Sequence, residues 1–314
     1  MTPVLDHPAP GFGHEALFYR GDDDLLAGLL PYVREGMGLG ESVVVALPRP
    51  GLDLLRTALG DDAATVEFLD MAEIGGNPAQ IIAVWDRAVR EHAAAGRGLR
   101  GIGEPAYPGR RTAELTECRL HELLLNRAFD DGPSWRLLCP YDEAHLPRSV
   151  TRGALHTHPL RSTAAGPRRS REYAPGEADA MFRTVLPRPT DAVLRGIYGP
   201  ADLPATRRTV AQFARTVGLP EEKVEALQLA ASELATNSVR HGGGSGTVAM
   251  WVTQDAAVVE FVDPGQVTDP LTGRLVPSLE QECGRGVFLV NQLCDLVQLR
   301  SSEEGTTIRV TTWV

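Results

Sequence analysis

Apolar positions in the first half of the chain follow two rhythms. Short unbroken runs at residues 15–19, 41–47, 65–69, 99–102 and 135–139 read as β-strands. The run at 41–47 is rich in β-branched residues and is closed by Pro48, as expected of a strand covered on both faces. Between these runs, apolar residues recur every three or four positions. One such stretch starts at Asp22–Asp24, which offer an N-cap and an acidic first turn, and reaches Val33. Others cover 52–59, 78–95 (Ile81, Ile82, Trp85, Val89) and 112–129 (Leu115, Leu120, Leu123, Leu124). Repeated strand–helix alternation predicts a mainly parallel sheet with helices on both faces.

The rhythm fails between about 157 and 190, where Pro159, Pro167, Pro175, Pro187 and Pro189 are interspersed with arginines. Most of this stretch reads as a linker. Beyond it the order changes. A strand near 192–198 precedes a helix at 203–217, and a second helix runs from Pro220 to about His241. Gly242-Gly-Gly-Ser-Gly246 breaks that helix. Residues 247–253 and 256–263 alternate as a hairpin, a glycine-rich loop opens a helix at 284–293, and 296–301 with 306–314 form a second hairpin. Helices followed by antiparallel strands predict an α/β sandwich with one covered sheet face. The expected organisation is a domain at 1–158, a linker at 159–177 and a second domain at 178–314.

Composition narrows the chemistry. The chain has 314 residues, enough for two domains, and a net charge of −10, which argues against a phosphate-neutralising nucleic-acid surface. Its one lysine is Lys223; no Gly-Lys-Ser/Thr occurs, so a Walker-type phosphate loop is excluded. Lys223 lies in an acidic helix start that reads as solvated. Cys118, Cys139, Cys283 and Cys294 are widely spaced and suggest neither a disulfide framework nor a zinc site. With no leader-like or membrane-spanning stretch, a reduced cytoplasmic protein without membrane contact is expected.

The chemistry concentrates in the second half. Glu233, Asn237 and His241 are four apart on one helix face. An amide oxygen there can ligate Mg²⁺, and a carboxylate one turn away can accept a proton. His121-Glu-Leu-Leu-Leu-Asn126 repeats the Glu-x-x-x-Asn spacing, but no further motif follows it, so it reads as a structural helix face. After Asn237, by contrast, come three more pieces in order. Val-Asp263-Pro-Gly265 ends a strand, where an aspartate can accept from an adenine amine and the glycine admits the ring. Gly284-Arg285-Gly286 opens a helix whose N–H groups suit phosphate oxygens. Gly305-Thr306-Thr307 precedes the last strand and brings hydroxyls towards the aspartate.

These four pieces resemble the N box, the two glycine boxes and the terminal threonine motif of GHKL-type (Bergerat) ATP-binding domains. The resemblance is to the anti-sigma-factor serine/threonine kinases among them. It implies binding of ATP and Mg²⁺, phosphorylation of a STAS-domain antagonist, and capture of a sigma factor. Carried over by position, Asn237 would hold Mg²⁺ and Glu233 would be the general base. Asp263 would read adenine with help from Thr307, Gly265, Gly284 and Gly286 would shape the nucleotide loops, and Arg285 would lie near the phosphates. Arg240 and His241 flank the pocket with either a phosphate-facing or a structural role. Two departures stand out: Pro264 stiffens the Asp-x-Gly turn, and the nucleotide cover at 268–283 is short. No acceptor-histidine segment precedes the N box, which counts against a two-component kinase.

The first half resembles the MEDS sensory domain, through His-Glu-Ala-Leu-Phe-Tyr at 14–19, Gly36-Met-Gly-Leu-Gly40-Glu with its following strand, 103–110, and 119–129 leading to 137–142. This implies a RecA- or Rossmann-like sheet that senses an unidentified ligand. The loop 103–111, with Glu104, Tyr107 and Arg110, follows a strand, where open α/β sheets bind ligands; a rigid turn is the alternative. Cys139, His145, His156 and His158 match no familiar metal-ligand spacing. In the helix after Asp202, Arg207, Arg208 and Arg215 are expected outside and Val210 and Phe213 inside; the resemblance implies that this helix meets both partners, the alternative being a solvated face. The expectation is a sensor-controlled kinase regulating a sigma factor, the alternative a nucleotide-binding sequestration module without phosphoryl transfer. Homodimerisation is left open.

Overall fold

In the computed structural model, which describes residues 11–197, 199–277 and 284–314, the chain forms two units. One is built from the chain up to Gly75 together with Val84–Pro175; the other from Gly76–Ala83 and Gly176–Val314.

The first unit runs β1 (Phe12–Tyr19), α1 (Asp22–Gly38), β2 (Ser42–Leu47), α2 (Arg49–Leu59), β3 (Val66–Asp70), α3 (Met71–Ile74), α4 (Ile81–Ala94, of which Val84 onward belongs to this unit), β4 (Leu99–Gly103), α5 (Thr112–Ala128), β5 (Trp135–Asp142), α6 (Arg148–Thr157), β6 (Leu160–Arg161) and β7 (Arg168–Arg169). The strand order is β3-β2-β4-β5-β1-β6-β7, parallel throughout except for β7. Every residue of β2 is buried, as its unbroken apolar run requires. Leu25, Leu29 and Val33 of α1 and Leu52 and Leu55 of α2 pack on one face, against Leu17, Val43, Val45 and Leu138. Trp85 lies over the other face, where a Cβ at Gly101 or Gly103 would come within 3.0 Å of its ring.

Two sequence expectations change here. Residues 148–157, read as no element, form α6. Residues 159–177, expected as a linker, contribute β6 and β7, with β6 pairing parallel to β1 at Glu15–Leu160 and Ala16–Arg161. Backbone hydrogen bonds to a sheet edge are indifferent to side-chain type, so an arginine- and proline-rich stretch can add short edge strands without an apolar rhythm.

The second unit contains α7 (Glu177–Phe182), β8 (Val193–Ile197), α8 (Leu203–Val217), α9 (Glu221–Arg240), β9 (Gly246–Val252), β10 (Ala256–Asp263), α10 (Arg285–Leu293), β11 (Leu296–Ser302) and β12 (Gly305–Trp313). Its sheet, ordered β11-β12-β10-β9-β8, is antiparallel throughout. Val210 and Ala214 of α8, Leu227, Ala231 and Leu234 of α9, and Val290 of α10 form one core with Val248, Val259, Phe261, Ile308 and Val310. Lys223 is not a free solvated amine: its Nζ donates to Asp295 Oδ2 and to the carbonyl of Trp313, both at 2.9 Å, tying the start of α9 to the sheet.

Candidate nucleotide site

The antiparallel register carries Asp263 to the end of β10, next to the last turn of α9. Ser238 Oγ donates to Asp263 Oδ2 at 2.7 Å, and the Gly265 N–H donates to Oδ1 at 3.0 Å. Burial raises the pKa of this carboxyl, while those two hydrogen bonds act to lower it. Each carboxylate oxygen can still accept a second hydrogen bond. The backbone crowds the group closely: a Cβ at Gly242 would stand 2.5 Å from Oδ1, and one at Gly265 would stand 2.6 Å from both Gly242 Cα and the His241 carbonyl oxygen. The glycine break after α9 and the Asp-x-Gly turn therefore meet backbone to backbone, and side chains are excluded there. Pro264 is exposed beside Gly243 and obstructs neither hydrogen bond of Asp263.

Glu233 and Asn237, both half-buried, lie one turn apart on α9. The start of α10 closes on them. A Cβ at Gly286 would lie 2.7 Å from Glu233 Oε2 and 3.6 Å from Asn237 Nδ2. Gly284 caps α10 at φ 91°, a left-handed conformation that favours glycine. Arg285, the first residue of the helix, is exposed. Carboxylate, amide and helix N-terminus are thus gathered in one place. Part of the expected nucleotide cover, 278–283, lies outside the described residues.

Register also separates the two threonines of the last motif. Thr306 pairs with Asp263 and Thr307 with Val262. Side chains alternate along a strand, so Thr306 shares the face of Asp263, while Thr307 is on the opposite face. Thr306 is buried; its Oγ1 donates to the Gly265 carbonyl at 2.8 Å and lies 2.9 Å from Ser301 Oγ. The hydroxyl that braces the Asp-x-Gly turn belongs to Thr306, whereas Thr307 lies on the opposite face of the strand from Asp263. Ser238 and Gly242 were also passed over. Both sit inside the quoted motifs, and only the fold reveals their contact with Asp263.

Two matches to known families account for this arrangement and for the sheet before it. Residues 13–159 match the family described as MEDS, the MEthanogen/methylotroph, DcmR Sensory domain, and residues 199–312 match the histidine kinase-like ATPase domain. The chain is thus similar to a MEDS domain in its first half and to a histidine kinase-like ATPase domain in its second. Over 117 residues it is 27% identical to the serine-protein kinase RsbW of Halalkalibacterium halodurans, covering 33% of this chain and 72% of that relative. A solved structure of the RsbU and RsbW domains of Rv1364c from Mycobacterium tuberculosis is similar at 16% identity and a TM-score of 0.29. That match covers 40% of this chain and 32% of the other, so the chain spans about a third of that protein's length. The family matches and the RsbW relative agree with the resemblance to anti-sigma-factor kinases carried by the four boxes.

In the MEDS domain, Tyr19 Oη donates to Glu104 Oε1 at 2.8 Å, and burial pushes the Glu104 carboxyl up to about 8. Arg110 stacks on the Tyr107 ring at 4.5 Å and donates to the Gly75 carbonyl at 2.6 Å, so the loop 103–111 is internally braced. The four residues considered for a metal divide. His145 pairs with Asp142 at 2.7 Å and His156 with Glu172 at 3.7 Å, whereas Cys139 and His158 are buried together. In the ATPase domain, Arg207 and Arg208 are exposed on α8, and Arg215 is ion-paired with Glu221. Among the described residues, no helix is long and apolar enough to cross a membrane.

Proposed function

We propose that the ATPase domain is an ATP-dependent serine/threonine kinase that phosphorylates a STAS-domain antagonist and captures a sigma factor, with the MEDS domain as its sensor. The observation that carries this reading is the closeness of Gly286 to Glu233 and Asn237, which puts the phosphate-binding helix end within reach of a base and an amide ligand. The side-chain oxygen of Asn237 would hold Mg²⁺, which supplies charge neutralisation on the phosphates. Glu233 takes the proton of the acceptor hydroxyl as its oxygen bonds to the γ-phosphorus; the bond from that phosphorus to the bridging oxygen breaks, and ADP leaves with the electron pair. The N–H groups at the start of α10, with Arg285, face the phosphates. Asp263, braced by Ser238, Gly265 and Thr306, accepts from the adenine amine. Exposed Arg207 and Arg208 on α8 form the partner surface, where an arginine fork can pair with carboxylates.

The test is transfer of labelled phosphate from Mg-ATP to candidate STAS proteins of the same genome. Wild type should label one of them. Glu233→Ala should abolish labelling while leaving ATP affinity within about twofold, because a general base acts in the transition state. If wild type binds ATP and a partner but labels no STAS protein offered, the domain sequesters without phosphoryl transfer.

A further inference from the structure

Four buried side chains meet inside the MEDS domain, away from the loop 103–111. His14 comes from β1, Glu122 from α5, Cys139 from β5, and His158 follows the last residue of α6; each is at most 1% exposed. One ligand-type atom from each lies within 4.8 Å of the other three. Glu122 Oε2 is 3.0 Å from His14 Nε2 and 3.5 Å from His158 Nε2, and Cys139 Sγ is 3.4 Å from His14 Nε2 and 3.7 Å from Glu122 Oε2. A tetrahedron with metal–nitrogen and metal–oxygen bonds of about 2.0–2.1 Å and a metal–sulfur bond of about 2.3 Å has edges of roughly 3.3–3.7 Å. The observed spacings bracket those edges.

The surrounding hydrogen bonds orient the donors. Asn126 Nδ2 donates to the carbonyls of Glu122 and Thr157, so its Oδ1 is the atom 3.1 Å from His14 Nδ1. Nδ1 of His14 therefore carries the proton, and in the neutral ring Nε2 turns a lone pair on the cluster. His158 repeats the arrangement: its Nδ1 donates to the Ala154 carbonyl at 2.9 Å, and its Nε2, buried, has no hydrogen-bond partner. Tyr141 Oη donates to Glu122 Oε1 at 3.0 Å, leaving Oε2 as the inward oxygen. Three acceptors then converge: two imidazole lone pairs and a carboxyl oxygen. Without a cation, the thiol must keep its proton for one imidazole and the carboxyl, protonated on Oε2, must turn its proton to the other; Nε2 of His158 makes no such hydrogen bond. A divalent cation satisfies all three together with the thiolate, and its charge cancels those of one thiolate and one carboxylate, so the buried site is neutral. Outward ring N–H groups held by a carbonyl or amide oxygen are the usual support of metal-bound histidines.

We propose that His14, Glu122, Cys139 and His158 form a closed tetrahedral site for one zinc-class divalent cation, which clamps α5 and the end of α6 to β1 and β5. Nitrogen and sulfur donors favour zinc over calcium or magnesium, and four protein ligands leave no open position for catalysis. The ion is enclosed during folding.

The test uses the untagged full chain, denatured, stripped with chelator and refolded with Zn²⁺ or Co²⁺. About one Zn²⁺ should be retained per chain after desalting. The Co²⁺ form should show a thiolate-to-cobalt charge-transfer band with intense tetrahedral d–d bands. Cys139→Ser should lose the charge-transfer band, and His158→Gln should weaken Zn²⁺ retention by about tenfold or more, each with an unchanged far-ultraviolet dichroism spectrum. Absence of stoichiometric metal and of a thiolate band in the refolded wild type overturns the site. So does a cobalt spectrum unchanged in both variants, which would place the ion on other histidines. Should a variant not fold, the wild-type stoichiometry and spectrum decide alone.

Discussion

Gly286→Ala adds a single methyl at the point where the second glycine box meets the N box. The new Cβ would lie 2.7 Å from Glu233 Oε2 and 3.5 Å from Glu233 Cβ, where 3.4 Å is the near limit of ordinary contact. The carboxylate oxygen must therefore retreat by about 0.7 Å, which rotation of a flexible side chain provides at little cost in stability. Gly286 is the second residue of a helix, where alanine is favoured over glycine by up to about 1 kcal/mol, so the variant should melt within a few degrees of wild type. Catalysis should suffer more. A misplacement approaching 1 Å costs on the order of 100-fold in rate, so 0.7 Å predicts a loss of about 10- to 100-fold in the proposed labelling of a STAS protein. ATP affinity should change less than the transfer rate. Gly305→Ala is the contrasting control: its Cβ would lie 2.2 Å from the Asp263 carbonyl oxygen, a backbone atom, at φ 126°. That variant should lose stability as well as nucleotide binding. The assays are thermal melting, calorimetric ATP titration and single-turnover phosphate transfer. A folded Gly286→Ala protein that transfers phosphate at the wild-type rate would refute the placement of the reaction beside Glu233.

Asp263→Asn leaves either Ser238 or the Gly265 N–H facing an amide nitrogen and alters the acceptor offered to adenine, so ATP affinity should fall by about 1–3 kcal/mol in calorimetry. Equal affinity in both proteins removes the base-reading role. Glu104→Gln should flatten the pH dependence of stability in the MEDS domain. With its folded pKa raised from 4.5 to about 8, the carboxyl keeps its proton in the fold after the unfolded chain has released it. Its stability contribution is therefore full below pH 4.5 and declines towards pH 8, by an amount on the order of 3–5 kcal/mol. Melting temperatures at pH 5 and pH 8.5 should separate more in wild type than in the variant; identical differences would show that the group is not protonated in the fold.

Most of the fold was legible because its determinants are local. The unbroken run at 42–47 and the three-to-four spacing of Leu120, Leu123 and Leu124 reflect strand and helix geometry, which consecutive residues express by themselves. The four boxes were legible for the same reason, each being a short segment with its own turn or cap. Edge pairing was not. β6 and β7 bond through backbone groups that any composition carries, so a segment read as a tether became part of a sheet.

The nucleotide boxes show the same division at the level of single residues. Sequence alone marked Glu233, Asn237, Asp263, Gly284 and Gly286 as candidate positions, from residue type and order. Tertiary structure set which of them touch: Gly286 against Glu233, Gly242 against Asp263, and Thr306 rather than Thr307 beside the Asp-x-Gly turn. A strand register slipped by one residue would exchange the two threonines without altering the motif. The buried cluster is the extreme case. Cys139 and His158 match no familiar ligand spacing, their partners His14 and Glu122 lie on other elements, and Glu122 belongs to a spacing that reads as a plain helix face. Periodicity is a property of neighbours along the chain, whereas ligand convergence depends on how separate elements pack, and no interval in the sequence encodes that distance.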